Sequence, residues 1–276
     1  MKKLLASIVP LAMAAVIGAG SAFAAGYPIN KPRELDWSFA GMFGTYDKAQ
    51  LQRGLKVYIE SCAACHSLDL VAFRTLEDLG YSEDQIKALA AEYEVEDGPD
   101  DAGDMFTRAA IPADYFPSPF PNPQAAAASN NGAAPPDFSL LAKARYVERG
   151  FPQFIFDIFT AYNESGPNYI YSLLTGYEEP PAGKEVAEGT YYNPYYIGGV
   201  SLAMAPPLFD EMVTYDDGSP ETVSQYAQDV SAFMMWAAEP HMEERKQTGF
   251  MVIMFLLIFT ALLYLTKKAV FASKEH

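Results

Sequence analysis

The chain contains two cysteines, and both fall in one pentapeptide, Cys62-Ala63-Ala64-Cys65-His66. A C-x-x-C-H run is the attachment site of a c-type haem. Two thiols at this spacing add across the two vinyl groups of a protoporphyrin, and the adjacent imidazole is positioned to coordinate iron from the proximal side. A structural zinc site is the rival, but zinc needs a second ligand pair, and no other cysteine exists to provide it. A thioredoxin-like C-x-x-C calls for a βαβ pattern and no following histidine; neither condition is met. The motif therefore predicts one haem c per chain, bound covalently through Cys62 and Cys65, with His66 as an axial ligand.

Both ends of the chain agree with attachment outside a bacterial cytoplasm. Residues 1–24 read as a cleaved signal peptide: Lys2 and Lys3 form the charged region, an apolar stretch follows, and Ala22-Phe23-Ala24 is the small-x-small cleavage site. A second apolar run, 249–266, carries no charge over 18 residues. At 1.5 Å per residue it spans about 27 Å, near the thickness of a hydrocarbon core. Lys267 and Lys268 follow at once and favour the cytoplasmic side. The expected order is signal peptide, periplasmic haem domain 25–248, transmembrane anchor 249–266 and cytoplasmic tail 267–276, in the inner membrane.

The formal charge of −16 becomes two units more negative once Lys2 and Lys3 leave with the leader. Such a charge argues against nucleic acid and anionic lipid as partners and for steering of basic proteins. Acidic residues crowd 92–104 around Gly98, Pro99 and Gly103, which predicts a mobile solvated loop. Elsewhere the pattern is helical. Asp47 with Gln50 resembles a capping box, and Leu51, Leu55, Tyr58, Ile59 and Cys62 share one helical face leading into the motif. Gly54 costs about 1 kcal/mol in mid-helix relative to Ala, which makes sense if another helix crosses there. Ser82 with Gln85 caps a second helix, and Ser219-Pro220 is expected to open a third that ends near Glu239-Pro240. No strand alternation stands out. The fold class is mostly α.

Prolines 112, 117, 119, 121 and 123 forbid regular structure, and a second proline-rich stretch runs through Pro135-Pro136-Asp137-Phe138. Proline stiffens walls that must not repack between oxidation states. For the sixth iron ligand the exported part offers Met42, Met105, Met204, Met212, Met234, Met235, Met242 and His241. Met204 stands before a diproline, far in sequence from the motif, where a loop can close over the other face; His241 is the nitrogen alternative. A thioether ligand favours the ferrous state.

Six blocks then occur in one order: 62–66, 130–139 with Ala142-Lys143-Ala144-Arg145, Tyr171-Ser172-Leu173-Leu174-Thr175-Gly176-Tyr177, 204–208, Tyr215-Asp216-Asp217-Gly218 and Trp236-Ala237-Ala238-Glu239-Pro240. Together they resemble cytochrome c1, the haem subunit of the quinol–cytochrome c oxidoreductase (cytochrome bc1 complex), over nearly the whole mature chain. The resemblance implies a class I cytochrome c-like fold with long irregular insertions. It implies His66 and Met204 as axial ligands, Arg145 and Tyr169 beside the haem propionates, and Asn130, Pro135 and Pro136 in the pocket wall. It further implies an electron-transfer subunit, with cytochrome b as core partner, that takes electrons from a Rieske iron–sulfur protein and passes them to a soluble or tethered cytochrome c. Residues 146–168 depart from the shorter family members with an extra apolar block of Phe151, Phe154, Ile155, Phe156, Ile158 and Phe159, expected to cover the core or meet a neighbouring subunit. A tethered shuttle cytochrome and a haem peroxidase are the alternatives. The first would use a long flexible linker, the second an open iron site.

Overall fold

A computed structural model describes residues 30–147, 149–162 and 164–272. The expected signal peptide and residues 273–276 of the tail lie outside the described residues. The first helix, α1 (Lys48–Val57), begins at Asp47, whose Oδ1 accepts from the Ala49 and Gln50 amides at 3.0 and 3.3 Å. The capping box is not closed, because Gln50 Nε2 donates across the core to Asp229 Oδ1 at 3.3 Å instead. α1 continues as a π-turn, Tyr58–Cys62, in which the Ala63 amide reaches back to the Tyr58 carbonyl at 2.8 Å. Such single-turn widenings concentrate at functional sites, and this one delivers the C-x-x-C-H run.

The C-terminal helix of the domain, α7 (Val223–Ala238), crosses α1 at Gly54. A Cβ on Gly54 would lie 2.2 Å from the Asp229 carbonyl oxygen and 2.6 Å from the Phe233 Cβ, so only glycine permits this approach. Beneath the crossing sits a fully buried carboxylate, Asp229, fixed by Arg53 Nε at 3.0 Å, Gln225 Nε2 at 2.9 Å, the Tyr215 hydroxyl at 2.9 Å and Gln50. A buried charge is tolerated only with such complete partnering. Around it an aromatic core joins Tyr58 to Phe116, Phe138 and Phe233, with ring centroids about 6 Å apart, the range in which each pair adds about 0.5–1.5 kcal/mol beyond area burial.

α7 starts later than the Ser219-Pro220 signal predicts. Ser219 is drawn into a turn by Asp217 Oδ1, and the cap is Thr222, whose Oγ1 accepts from the Gln225 amide. A 3-10 helix (Phe73–Leu79) packs on α1, and α2 (Glu83–Ala90), with the full Ser82–Gln85 capping box, packs on the 3-10 helix. The acidic segment is not a loose loop throughout. β1 (Glu94–Asp97) pairs antiparallel with β2 (Phe106–Ala109), and Arg108 holds Asp97 and Asp114 together. One guanidinium between two carboxylates offsets part of their repulsion and lets an acid-rich strand form. The proline stretch likewise ends in a short helix, α3 (Pro123–Ser129), with Asn122 as cap and proline in the first turn, where it needs no amide hydrogen. α4 (Leu141–Ala144), α5 (Gln153–Thr160) and α6 (Ser165–Leu174) follow, then a two-residue ladder, β3 (Tyr191–Tyr192) against β4 (Ser201–Leu202). The architecture is mostly helical, with two short sheets that the sequence pattern does not announce.

α8 (Met242–Phe271) is 30 residues long and contains the described residues' one helix long and apolar enough to cross a membrane. At about 45 Å it exceeds a hydrocarbon core of about 30 Å, and the surplus at its start docks on the domain. Lys246 is buried with Nζ donating to the Phe39 carbonyl at 2.6 Å, the Tyr46 amide donates to Glu243 Oε1 at 2.7 Å, and Glu239 pairs with both Lys143 (2.6 Å) and Arg245. The Tyr46 hydroxyl donates to the Glu239 carbonyl at 3.1 Å, so the break between α7 and α8 is held from several sides.

Two measurements check this packing. Gly54→Ala should destabilise the domain, because overpacking against backbone costs about 1–3 kcal/mol and exceeds the gain of about 1 kcal/mol in helix propensity; an unchanged or raised unfolding temperature would contradict the close crossing. Burial alone would raise the Glu239 carboxyl, but hydrogen bonds from Arg245 and Lys143 hold it below the usual carboxylate range. A carboxylate depressed in the folded state adds stability above its unfolded value and loses it as pH falls through the folded one. Amides in the first turn of α8 should therefore lose exchange protection on acidification below the ordinary carboxylate range, and Glu239→Gln should abolish that dependence.

Candidate functional site

The π-turn ends at Cys62, which is buried, and the Cys65 and His66 amides both fold back onto the Cys62 carbonyl at 3.0 and 2.9 Å. Cys65 is exposed while His66 turns inward. Burial, reinforced by Cys65, pushes the Cys62 thiol up to about 12, which favours the protonated thiol. His66 Nδ1 lies 2.8 Å from the Pro136 carbonyl. Since that oxygen only accepts, the proton sits on Nδ1 and Nε2 keeps a free lone pair, the arrangement that orients a ligating histidine. Burial also disfavours the imidazolium and outweighs the Pro136 hydrogen bond, lowering the histidine's value and leaving the neutral ring that can ligate. Phe138 packs on the ring, with centroids 4.3 Å apart.

The Pro136 carbonyl is held in place by a clamp that the sequence pattern does not reveal. Asp137 Oδ2 accepts from Ser67 Oγ at 2.8 Å and the Asp69 amide at 2.9 Å, its Oδ1 accepts from the Ser139 amide at 2.8 Å, and Ser139 Oγ accepts from the Leu70 amide at 3.0 Å. The Phe138 amide closes the set on the Ser67 carbonyl at 2.9 Å. The one available signal is Asp-x-Ser behind a diproline, the chemistry of an Asx turn. Pro135 is half-buried and Pro136 exposed, and it is the Pro136 carbonyl that meets His66. Asn130 stands apart: its Nδ2 donates to the Ala126 carbonyl at 2.7 Å, finishing α3 and turning the chain toward the diproline.

A second group forms on α4, α6 and the loop after β4. Arg145 closes α4 half-buried, with no carboxylate paired to its guanidinium among the described residues. It faces Tyr169, which is buried on α6 and accepts the Ile197 amide at 3.2 Å. Gly166 allows this neighbourhood, since a Cβ there would lie 1.6 Å from the Ala142 carbonyl oxygen. The Tyr177 hydroxyl donates to the Met204 carbonyl at 3.0 Å, and burial, followed by Tyr191 and Tyr169, raises its phenol. Met204 is half-buried. The loop it opens runs on to Met212, whose sulfur accepts from Ser61 Oγ at 3.7 Å, beside Cys62. The 204–212 loop thus bridges the second group and the attachment turn. The other sulfur candidates divide into core (Met234, Met235, Met242), half-buried (Met42) and surface (Met105, Met212), and His241 is exposed against Glu244.

These residues fit a haem. The donor set is one neutral imidazole, two adjacent thiols and a thioether on a separate loop. An unpaired half-buried guanidinium is available for an acidic side group, and the buried Trp236 indole N–H on the aromatic wall also lacks an acceptor among the described residues.

Fold and motif together define a class: mostly helical domains carrying a c-type haem motif, continued into a single apolar helix. Residues 37–274 match the Cytochrome C1 family. The chain is 57% identical over 250 residues to the cytochrome b/c1 of Bradyrhizobium diazoefficiens, covering 89% of this chain and 36% of that protein. It is 46% identical to the cytochrome c1 of Rhodospirillum rubrum, covering 95% of this chain and 94% of the relative. With that of Blastochloris viridis it shares 48% identity, over 86% and 85% of the two chains. The chain thus spans about a third of the first of these relatives and nearly all of the second. This chain belongs to the cytochrome c1 family.

Proposed function

We propose that this chain is the haem-bearing subunit of a quinol–cytochrome c oxidoreductase, carrying single electrons from a Rieske iron–sulfur protein to a cytochrome c, with cytochrome b as its partner in the bilayer. The observation that carries the proposal is the His66 imidazole, neutral, buried and oriented by the Pro136 carbonyl at the end of C-x-x-C-H. Cys62 and Cys65 would hold one haem c as thioethers, His66 and Met204 would be its axial ligands, and Arg145 and Tyr169 would face its acidic side groups. Pro135, Pro136 and Asn130 would shape the wall. When bound, the haem supplies a one-electron iron couple whose potential a methionine ligand raises.

The polypeptide's part is to hold still. The Asp137–Ser139 clamp fixes the imidazole plane, Tyr177 fixes the backbone of Met204, and the Tyr58–Phe138–Phe233 stack excludes water behind His66. A donor set that moves little between oxidation states lowers the reorganisation needed for each transfer. The proposed order along the chain is a periplasmic domain 25–248, a membrane span within 249–266 and a cytoplasmic end from 267. The docked start of α8 favours a fixed subunit over a shuttle on a loose tether.

Extraction in mild detergent should yield a coloured protein that brings other subunits with it and keeps its pigment in acidified acetone; a colourless product, or pigment that extracts, overturns the proposal. Met204→Ala should lower the midpoint potential and let the reduced protein bind carbon monoxide, whereas an unchanged spectrum would show that another residue is the ligand. Given the charge of −16, the second-order reduction rate of a basic acceptor should fall steeply as ionic strength rises; a salt-independent rate would remove electrostatic steering.

A further inference from the structure

Helix α5 inverts the usual pattern of a surface helix. Its charged residue, Asp157, is turned inward, 7% exposed, and paired with Arg149. Its apolar neighbours point out: Phe154 is 49% exposed, Ile155 39% and Phe156 61%, with Phe151 just before them at 79%. Contiguous apolar exposure of this kind marks a surface that something apolar covers. The polar groups behind it are satisfied within the segment or by its neighbours. Thr160 Oγ1 donates to the Phe156 carbonyl at 3.0 Å, and the Arg149 guanidinium lies 3.7 Å over the Tyr162 ring and 3.5 Å from Glu34. A face with its hydrogen bonding completed internally suits hydrocarbon, which offers no polar partner.

The position of α5 names what covers it. Its last residue, Thr160, lies against Gly41, where an added Cβ would be 3.8 Å from the Thr160 carbonyl oxygen. The same 39–44 loop is clamped to the start of α8: Lys246 Nζ binds the Phe39 and Gly44 carbonyls, and Phe43, itself 75% exposed, meets Phe250 edge-on with centroids 5.4 Å apart. Phe250 begins the apolar part of α8. The exposed face of 151–156 therefore sits one loop away from the start of the apolar run of α8, beside an aromatic pair of the kind that favours the membrane–water boundary.

We propose that residues 150–160 make a second, monotopic contact with the same bilayer, with Phe151, Phe154, Ile155 and Phe156 inserted among the lipid acyl chains next to α8. Alongside α8, this contact would fix the domain's tilt against rotation about the anchor axis. The proposal rests on α8 crossing the membrane, and not on the identity of any cofactor.

The test places a photoreactive p-benzoylphenylalanine in the full-length protein at Phe154, or at Phe151, with Leu70 and Phe255 as references; all four side chains are exposed. In phosphatidylcholine vesicles and in native membranes, irradiated Phe154→p-benzoylphenylalanine should give phospholipid adducts several-fold above those at Leu70, as Phe151 should. Adducts no higher than at Leu70 overturn the proposal, as does capture in native membranes of a second copy of the chain or of another subunit in place of lipid. Absence of lipid adducts at Phe255 as well would instead overturn the membrane-crossing assignment of α8, on which the proposal depends.

Discussion

Where α1 crosses α7, the absence of a single side-chain carbon brings two backbones into contact. Gly54 lies against the Asp229 carbonyl, and everything on either side of the crossing is set by it. Toward the C-terminal end of α1 the crossing fixes the π-turn and hence Cys62, Cys65 and His66. Toward the end of α7 it fixes Glu239 and the start of α8. The buried Asp229 carboxylate beneath it draws Arg53, Gln50, Gln225 and Tyr215 into one network. Removing one member of such a network leaves the others buried and unpaired, which costs more than the missing bond alone.

The parts of this fold legible in the sequence are those governed by local spacing. The five-residue motif, the apolar face of α1, the reason for Gly54, the Ser82–Gln85 box and the long apolar helix all follow from periodicity and from capping chemistry. What is not legible depends on which side chains choose one another, near or far in the chain. Gln50 leaves its expected cap because Asp229, far along the sequence, offers a buried acceptor. The acidic stretch becomes a strand because Arg108 bridges Asp97 and Asp114, and α7 starts late because Asp217 captures Ser219.

The candidate site divides the same way. The thiols and histidine announce themselves by adjacency. The Pro136 carbonyl, the Asp137–Ser139 clamp and Tyr177 do not, since each works through a pairing that involves a backbone atom, which leaves no mark on the sequence pattern. Asn130 shows the converse: its side-chain amide donates to its own helix, so its legible polar group also sets the path of the chain into the diproline. Within 146–168, an apolar departure from the shorter relatives at the sequence level, Phe151, Phe154 and Phe156 turn outward rather than into the core.

The docked start of α8 also dictates where this protein can be cut. A soluble head truncated at Pro240 would lose Lys246 from the Phe39 and Gly44 carbonyls, Glu243 from the Tyr46 amide and Arg245 from Glu239. Those three losses would leave a frayed edge on the 39–46 loop. A terminus placed beyond Lys246 keeps the plug seated, so the natural seam between head and stalk lies inside the helix, not at the proline that precedes it.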